Sequence, residues 1–215
     1  SARSIFALRR TPFWMVAISA PLALVCAILS GALEALIGQV FPMPEEYAIH
    51  LARLLYPENP GQWVRIIAIA VIIIPLGEEM LFRGLFLRGF VLRYGTVPAL
   101  AFSSLFFAFV HLNPWGFVPI FLAGWLLGWL VLRSGSLWPS VFLHGLYNLY
   151  SILMLYTSLE ESPSAEVLSQ ADAGIWGSSM MVAVSALVLV GCIVLIGRQG
   201  RRALPWTDSC NAAAS

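Results

Sequence analysis

Seven side chains in three short clusters carry the groups that do chemistry: Glu78, Glu79 and Arg83; Phe107 and His111; His144 and Asn148. Carboxylates and imidazoles move protons, and they also ligate zinc. What makes these informative is their surroundings, long runs of Ile, Val, Leu, Phe and Ala. If such a run spans a bilayer, a charge at its centre costs ~3 kcal/mol on insertion scales. Such groups persist when they are paired, face a wet cavity or carry function.

The spacing separates them. Glu79 and Arg83 are four apart, with Glu N-terminal, the favourable order for an ion pair on one helix face. A buried pair that fixes helix packing is the plain reading of those two. Glu78 is rotated ~100° from Glu79 and cannot use the same arginine as well, so it needs another partner. Phe107 and His111 lie one turn apart. His144 and Asn148 are i,i+4 and point the same way. Taken singly, each histidine reads as a satisfied packing or interfacial residue. Together with Glu78 they put four polar groups on three different apolar segments of a chain with three histidines. The third histidine, His50, lies in a polar loop and is assigned nothing; Glu34 and Arg65 are the other ionisable residues within apolar segments.

The elements that must position these groups are membrane spans. The 215 residues are 60% hydrophobic and 11% charged, with mean hydropathy +0.85, whereas soluble domains carry about 25% charged residues. About 20 apolar residues cross the hydrocarbon core. On that ruler the chain is an all-α polytopic membrane protein of six transmembrane helices: Phe13 to Ile37 (interrupted by Pro21 and Glu34), Trp63 to about Val91 with Pro75 as a kink, Val97 to Leu112, Trp115 to Leu132, Leu137 to Leu159, and Ile175 to Gly197. The fourth is rich in small residues (Gly116, Ala123, Gly124, Gly128) suited to close helix contact.

All twelve basic residues are arginine, and their placement sets the orientation. Arg3, Arg9 and Arg10 precede the first span, Arg88 and Arg93 follow the second, Arg133 follows the fourth, and Arg198, Arg201 and Arg202 follow the sixth. The alternate loops hold Glu45, Glu46 and Glu58, and Glu160, Glu161, Glu166 and Asp172. Both the N and C termini are therefore expected in the cytoplasm, and the expected location is a prokaryotic inner (cytoplasmic) membrane. Residues 41–62 are too polar to span and read as an outer-side loop or short surface helix. The whole chain, 1–215, reads as a single integral membrane domain with no internal repeat. A net charge of +1 implies no nucleic-acid partner. Cys26, Cys192 and Cys210 have no metal-ligand spacing and no expected disulfide, and no cleavable signal peptide is expected.

Glu78-Glu79-x-x-x-Arg83, Phe107-x-x-x-His111 and His144-x-x-x-Asn148, in that order, resemble the three-motif signature of the CPBP family. These are the CAAX-protease and bacteriocin-processing (Abi) intramembrane proteases, which include the Ras-converting CAAX endopeptidases. The resemblance covers about Trp63 to Tyr156, so residues 63–156 would be the catalytic core. It implies an intramembrane protease whose partners are the lipid bilayer and a membrane-associated protein or peptide substrate. Carried over, Glu78 would be the general base that activates a water, with His111 helping to hold it. His144 and Asn148 would stabilise the oxyanion, Glu79 and Arg83 would be the supporting ion pair, and Phe107 would pack the motif. Donors aimed at a developing oxyanion are worth ~3–4 kcal/mol each.

No cofactor is required by this reading. Zinc is the alternative, with Glu78, His111 and His144 as its ligands and an open fourth position, although Glu-Glu-x-x-x-Arg is not the His-Glu-x-x-His arrangement that points to it. From other classes come a non-catalytic membrane scaffold or immunity protein of the same family, and a small proton-coupled transporter. A transporter would show inverted repeats.

The depths of these residues set a geometric condition. With a ~1.5 Å rise per residue, full-length spans place Glu78 and His144 toward the cytoplasmic side and His111 nearer the outer side. Convergence then requires a long, tilted second span or an inward dip at His111-Leu112-Asn113-Pro114, where Asn113-Pro114 stops the helix. The mechanism requires His111 within about 10 Å of Glu78, roughly two hydrogen-bonded links.

Overall fold

The computed structural model describes residues 6–55, 57, 59–161 and 179–198. Arg3, Glu58, Glu166, Asp172, the Ile175 start of the sixth expected span, Arg201, Arg202 and Cys210 lie outside the described residues. The protein is all-helical, with no strand among the described residues.

Seven helical segments follow in order. α1 is Phe13–Val40, broken at Ile18 between Phe13–Ala17 and Ser19–Val40. The break sits one turn before Pro21, whose ring and missing N–H oppose the helix at that level. α2 is the short Glu45–Leu55, an amphipathic helix within the polar segment that sequence leaves outside the apolar runs. α3 is a continuous helical run over residues 60–94. α4 is Thr96–Val110, α5 is Phe117–Ser134, α6 is Trp138–Glu161 and α7 is Ser179–Arg198. Among the described residues, three helices are long and apolar enough to cross a membrane: Phe13–Val40, Phe117–Ser134 and Ser179–Arg198.

α3 departs from a regular helix in two places. Ile67–Ile73 and Met80–Phe86 are π-helical, and between them Ile74–Glu79 is α-helical with Pro75 in its first turn. Wide turns of this kind occur mostly as single insertions, often at functional sites. Here they bracket the residues that carry Glu78 and Glu79.

α4 has 15 residues, about 22 Å at 1.5 Å per residue, against a hydrocarbon core of ~30 Å. It follows Gly95, whose φ of 81° with extended ψ is a conformation open to glycine and turns the chain out of α3. It ends at His111, followed by Leu112 at φ 49°, a left-handed conformation that a leucine adopts at a cost. Asn113 Oδ1 then accepts the Gly116 N–H at 3.0 Å, closing the turn into α5.

Packing runs in two layers. α4 packs on α5 and on the C-terminal half of α3, while α6 packs on α1, on α5 and on residues 67–79 of α3; α7 packs on α1. The core where they meet includes Met15, Leu22, Phe82, Phe107, Leu127 and Leu143. Polar side chains are buried within this core while large apolar ones are exposed outside. Ser103, Ser104, Ser140, Glu79 and Arg83 are buried, while Ile69, Ile72, Ile73, Val184 and Leu187 are exposed. An apolar exterior of that extent suits lipid, not water. Cys26 and Cys192 are free thiols in this core.

The small residues of α5 let α4 approach closely. A Cβ on Gly124 would stand 3.1 Å from the Phe107 ring and 3.3 Å from the Ser104 backbone. Gly124→Leu should therefore push α4 away and lower the thermal midpoint, an overpacking cost of about 1–3 kcal/mol. Intrinsic tryptophan fluorescence during heating in detergent measures it, and an unchanged midpoint would show that the helices separate freely.

Candidate active site

Glu79 is fully buried on α3. Its Oε1 takes the Arg83 Nη1–H at 2.7 Å, the i,i+4 geometry that the spacing anticipates. Two further donors come from α6: the His144 ring through Nδ1, at 3.0 Å, and the Ser140 hydroxyl to Oε2. Arg83 is also fully buried. Its Nη2–H donates to the Gly124 carbonyl on α5 at 3.1 Å, and its guanidinium lies 4.1 Å from the Phe107 ring centroid, within range of a cation–π contact. Phe107 thus packs against the ion pair, and it touches both histidine rings, with centroids 4.6 Å from His111 and 5.6 Å from His144.

Ser140 was not among the residues singled out by sequence, and Gly124 was singled out only as a small residue suited to close helix contact. Ser140 had a signal: it lies four residues before His144 and eight before Asn148, on the same face of α6. The role of Gly124 is carried by its carbonyl, for which residue type gives no signal.

Glu78 faces elsewhere. Its Oε2 lies 4.0 Å from His111 Nε2 and 3.8 Å from His144 Nε2, well inside the ~10 Å that convergence requires. His111 therefore meets the condition that its spacing set. Each gap is too long for a direct hydrogen bond and short enough for a water to bridge. Glu78 Oε2 is buried and has no hydrogen-bond partner in the protein. A buried carboxylate oxygen left without a partner is costly and calls for an explanation in function or solvent.

Both histidines are oriented from behind. His111 Nδ1 lies 2.6 Å from the Phe107 carbonyl, and His144 Nδ1 faces the Glu79 carboxylate. A carbonyl and an ionised carboxylate can only accept, so both Nδ1 atoms carry hydrogen. Each Nε2 is thereby turned toward Glu78. His144 presents Nε2 as an acceptor when its ring is neutral, and as an N–H donor when its ring is an imidazolium balanced by Glu79. The side chains of Glu78 and His111 are 27% and 28% exposed and that of His144 is 5% exposed, so the cluster opens on the Glu78–His111 side.

Asn148 occupies the next turn of α6 after His144. Its Nδ2 donates to the Ala70 carbonyl of α3 at 2.9 Å, which leaves its second amide hydrogen and its Oδ1.

Zinc can be tested against this arrangement. Holding the far nitrogen of each histidine is typical outer-shell support in metal sites. However, 3.8 and 4.0 Å exceed the ~3.3 Å between neighbouring ligands of a tetrahedral ion with bonds near 2.0–2.1 Å. Among the described residues no group of three His, Cys, Asp or Glu side chains is disposed to hold a metal ion. As placed, Glu78 Oε2 stands farther from both Nε2 atoms than neighbouring ligands of tetrahedral zinc stand from each other.

Truncating one partner of a buried ion pair leaves the other charge uncompensated, at about 3–5 kcal/mol. Arg83→Met should therefore destabilise the fold strongly, and adding Glu79→Gln to it should recover much of the loss. Thermal midpoints of the two single variants and the double variant in detergent check this; additive losses would mean the pair is not coupled.

Residues 60–150 match a family model described as Type II CAAX prenyl endopeptidase Rce1-like. No curated protein and no solved structure is significantly similar to the chain.

Proposed function

We propose, starting from the CAAX/CPBP protease family supported by the match over residues 60–150, that this chain is an intramembrane endopeptidase in which Glu78 activates a water against a peptide bond of a membrane-associated protein or peptide. The observation that carries this reading is the Glu78 Oε2 atom, buried without a protein partner and faced by two imidazole Nε2 atoms at 3.8 and 4.0 Å.

In this reading a water bridges Glu78 Oε2 and His111 Nε2. Glu78 takes a proton from it as the oxygen attacks the scissile carbonyl carbon. The carbonyl oxygen becomes an oxyanion and receives the Nε2–H of His144 in its imidazolium form. Glu79 balances that ring through Nδ1–H and fixes its direction. The Asn148 hydrogen that is not given to Ala70 is the second donor. As the tetrahedral intermediate collapses, the C–N bond breaks and Glu78 passes its proton to the leaving nitrogen. Water is consumed, its second proton passes from the new carboxyl group to the amine, a carboxylate and an ammonium are released, and Glu78 returns ionised. No step is routed through a metal.

The architecture that goes with this function is a single membrane domain of six spans with both termini in the cytoplasm of a prokaryotic cell. Residues 63–156 form its catalytic core and residues 41–62 lie on the outer side. α3, α4 and α6 supplement the three helices whose length and apolarity suffice alone. A broken or short helix is tolerated at membrane depth where it lines a wet cavity, the role this reading gives α3 and α4 around Glu78.

The test is cleavage by the protein reconstituted in liposomes. The probes are a quenched fluorogenic farnesylated peptide ending in a CAAX sequence and an unprenylated single-span peptide. Glu78→Gln should lower kcat by about 10²–10⁴-fold, the range for a lost general base, with the thermal midpoint unchanged. A chelator should leave the rate intact. Equal cleavage by wild type and Glu78→Gln would remove Glu78 as the base, and cleavage of neither peptide would favour a non-catalytic scaffold.

A further inference from the structure

We propose that Asn148 is a positioning residue: at the Ala70 carbonyl its side-chain amide replaces the backbone N–H that Pro75 lacks, and so locks the Glu78 segment of α3 onto the His144 face of α6. The activity part of this proposal rests on the endopeptidase reading; the structural part does not.

The backbone bonding of α3 leads to it. At the end of the π-helical stretch Ile67–Ile73, the N–H of Ile74 bonds to the Ile69 carbonyl, five residues back. In that register the next N–H, at position 75, would reach the Ala70 carbonyl. Position 75 is proline and has no N–H. In a soluble helix water would take the freed carbonyl; at membrane depth it must be met from within the protein. Asn148 meets it with Nδ2 at 2.9 Å, from a helix 78 residues away in sequence.

A second observation places the two backbones in close contact at the same point. Gly145 is buried one turn before Asn148, and a Cβ there would stand 2.5 Å from the Val71 carbonyl oxygen. Ala70 and Val71 therefore both present their carbonyls to α6. The spot adjoins the site on both helices: Glu78 follows Pro75 by three residues, and His144 precedes Gly145. A misplacement of about 1 Å between reacting groups can cost ~100-fold in rate, so a bond that fixes these two helices acts on the Glu78 to His144 distance.

The experiment is a double-mutant cycle between Asn148→Leu and Pro75→Ala, read by thermal midpoint in detergent and by kcat and KM on the farnesylated CAAX peptide. With proline at 75, Asn148→Leu should lower the midpoint by a few degrees. It should also lower kcat by well over 100-fold, a displacement loss of about 100-fold on top of the lost oxyanion donor, with KM within about twofold. In the Pro75→Ala background the restored N–H reaches Ala70. The midpoint loss should then largely vanish and the kcat loss should shrink by about 100-fold, to what the lost oxyanion donor costs alone, a coupling that independent sites do not show. Equal midpoint losses in both backgrounds would overturn the proposal. Coupled midpoints with equal kcat losses would overturn its positioning part and leave Asn148 acting on the oxyanion alone. If the wild type cleaves neither peptide, the endopeptidase reading fails while the midpoints still decide the Asn148–Ala70 lock. Gly145→Ala gives a second handle should Asn148→Leu fail to fold. It should cost kcat through the Val71 carbonyl in both backgrounds, and a wild-type kcat would count against the close contact.

Discussion

A single buried carboxylate braces the centre of this molecule. Glu79 has no water to turn to, so its charge must be met by protein donors, and it gathers them from two helices: Arg83 on its own α3, and Ser140 and His144 on α6. Arg83 extends the brace to α5 through the Gly124 carbonyl and to α4 through the face of Phe107. In a low-dielectric interior each unmet atom of such a network is costly, and Arg83 Nε is the one such atom left without a partner among the described residues. The cross-links of four helices are therefore conditional on one another. Gly124 must stay small for α4 to come close, and Phe107 must come close for Arg83 to be covered.

The neighbouring carboxylate shows how much one residue of helical phase decides. Glu78 and Glu79 are adjacent, of the same type, in the same short α-helical stretch. One is sealed among donors while the other turns an unpartnered oxygen toward two imidazoles. The sealed one serves the open one, because Glu79 holds the ring whose far nitrogen faces Glu78. His111 receives the same service from the Phe107 carbonyl. Both rings are thus held from the dry side and present their free nitrogen on the side that opens outward.

Much of this was legible in sequence because it follows from residue type and period. The long apolar helices α1, α5 and α7 follow from length and hydropathy. The Glu79–Arg83 pair follows from i,i+4 spacing, and the separate direction of Glu78 from 100° per residue. Ser140 was legible too, on the face shared by His144 and Asn148, and was passed over because a serine in an apolar run costs little and so attracts no question. The π-helical turns of α3 were not legible, since Ile67–Ile73 is an ordinary apolar run whose bonding is set by what packs beside it. The acceptors at Gly124, Phe107 and Ala70 were invisible for a different reason: they are backbone carbonyls, which every residue has. The level of His111 could be posed from the sequence only as a condition, and its 4.0 Å approach to Glu78 meets it.

The shortness of α4 has a consequence for the lipid. On the proposed six-span reading, a helix of about 22 Å in a hydrocarbon layer of ~30 Å would leave a mismatch that the bilayer meets by thinning around it. The exposed α4 residues Phe102, Phe106 and Phe109 would then border a local dimple in which headgroups and water sit closer to the midplane. On the proposed endopeptidase reading, a polar peptide bond approaching Glu78 along that border would cross less hydrocarbon than elsewhere. Membrane thickness would then be a variable of the proposed reaction: lipids with shorter chains would deepen water's reach toward Glu78, and lipids with longer chains would raise the strain around α4.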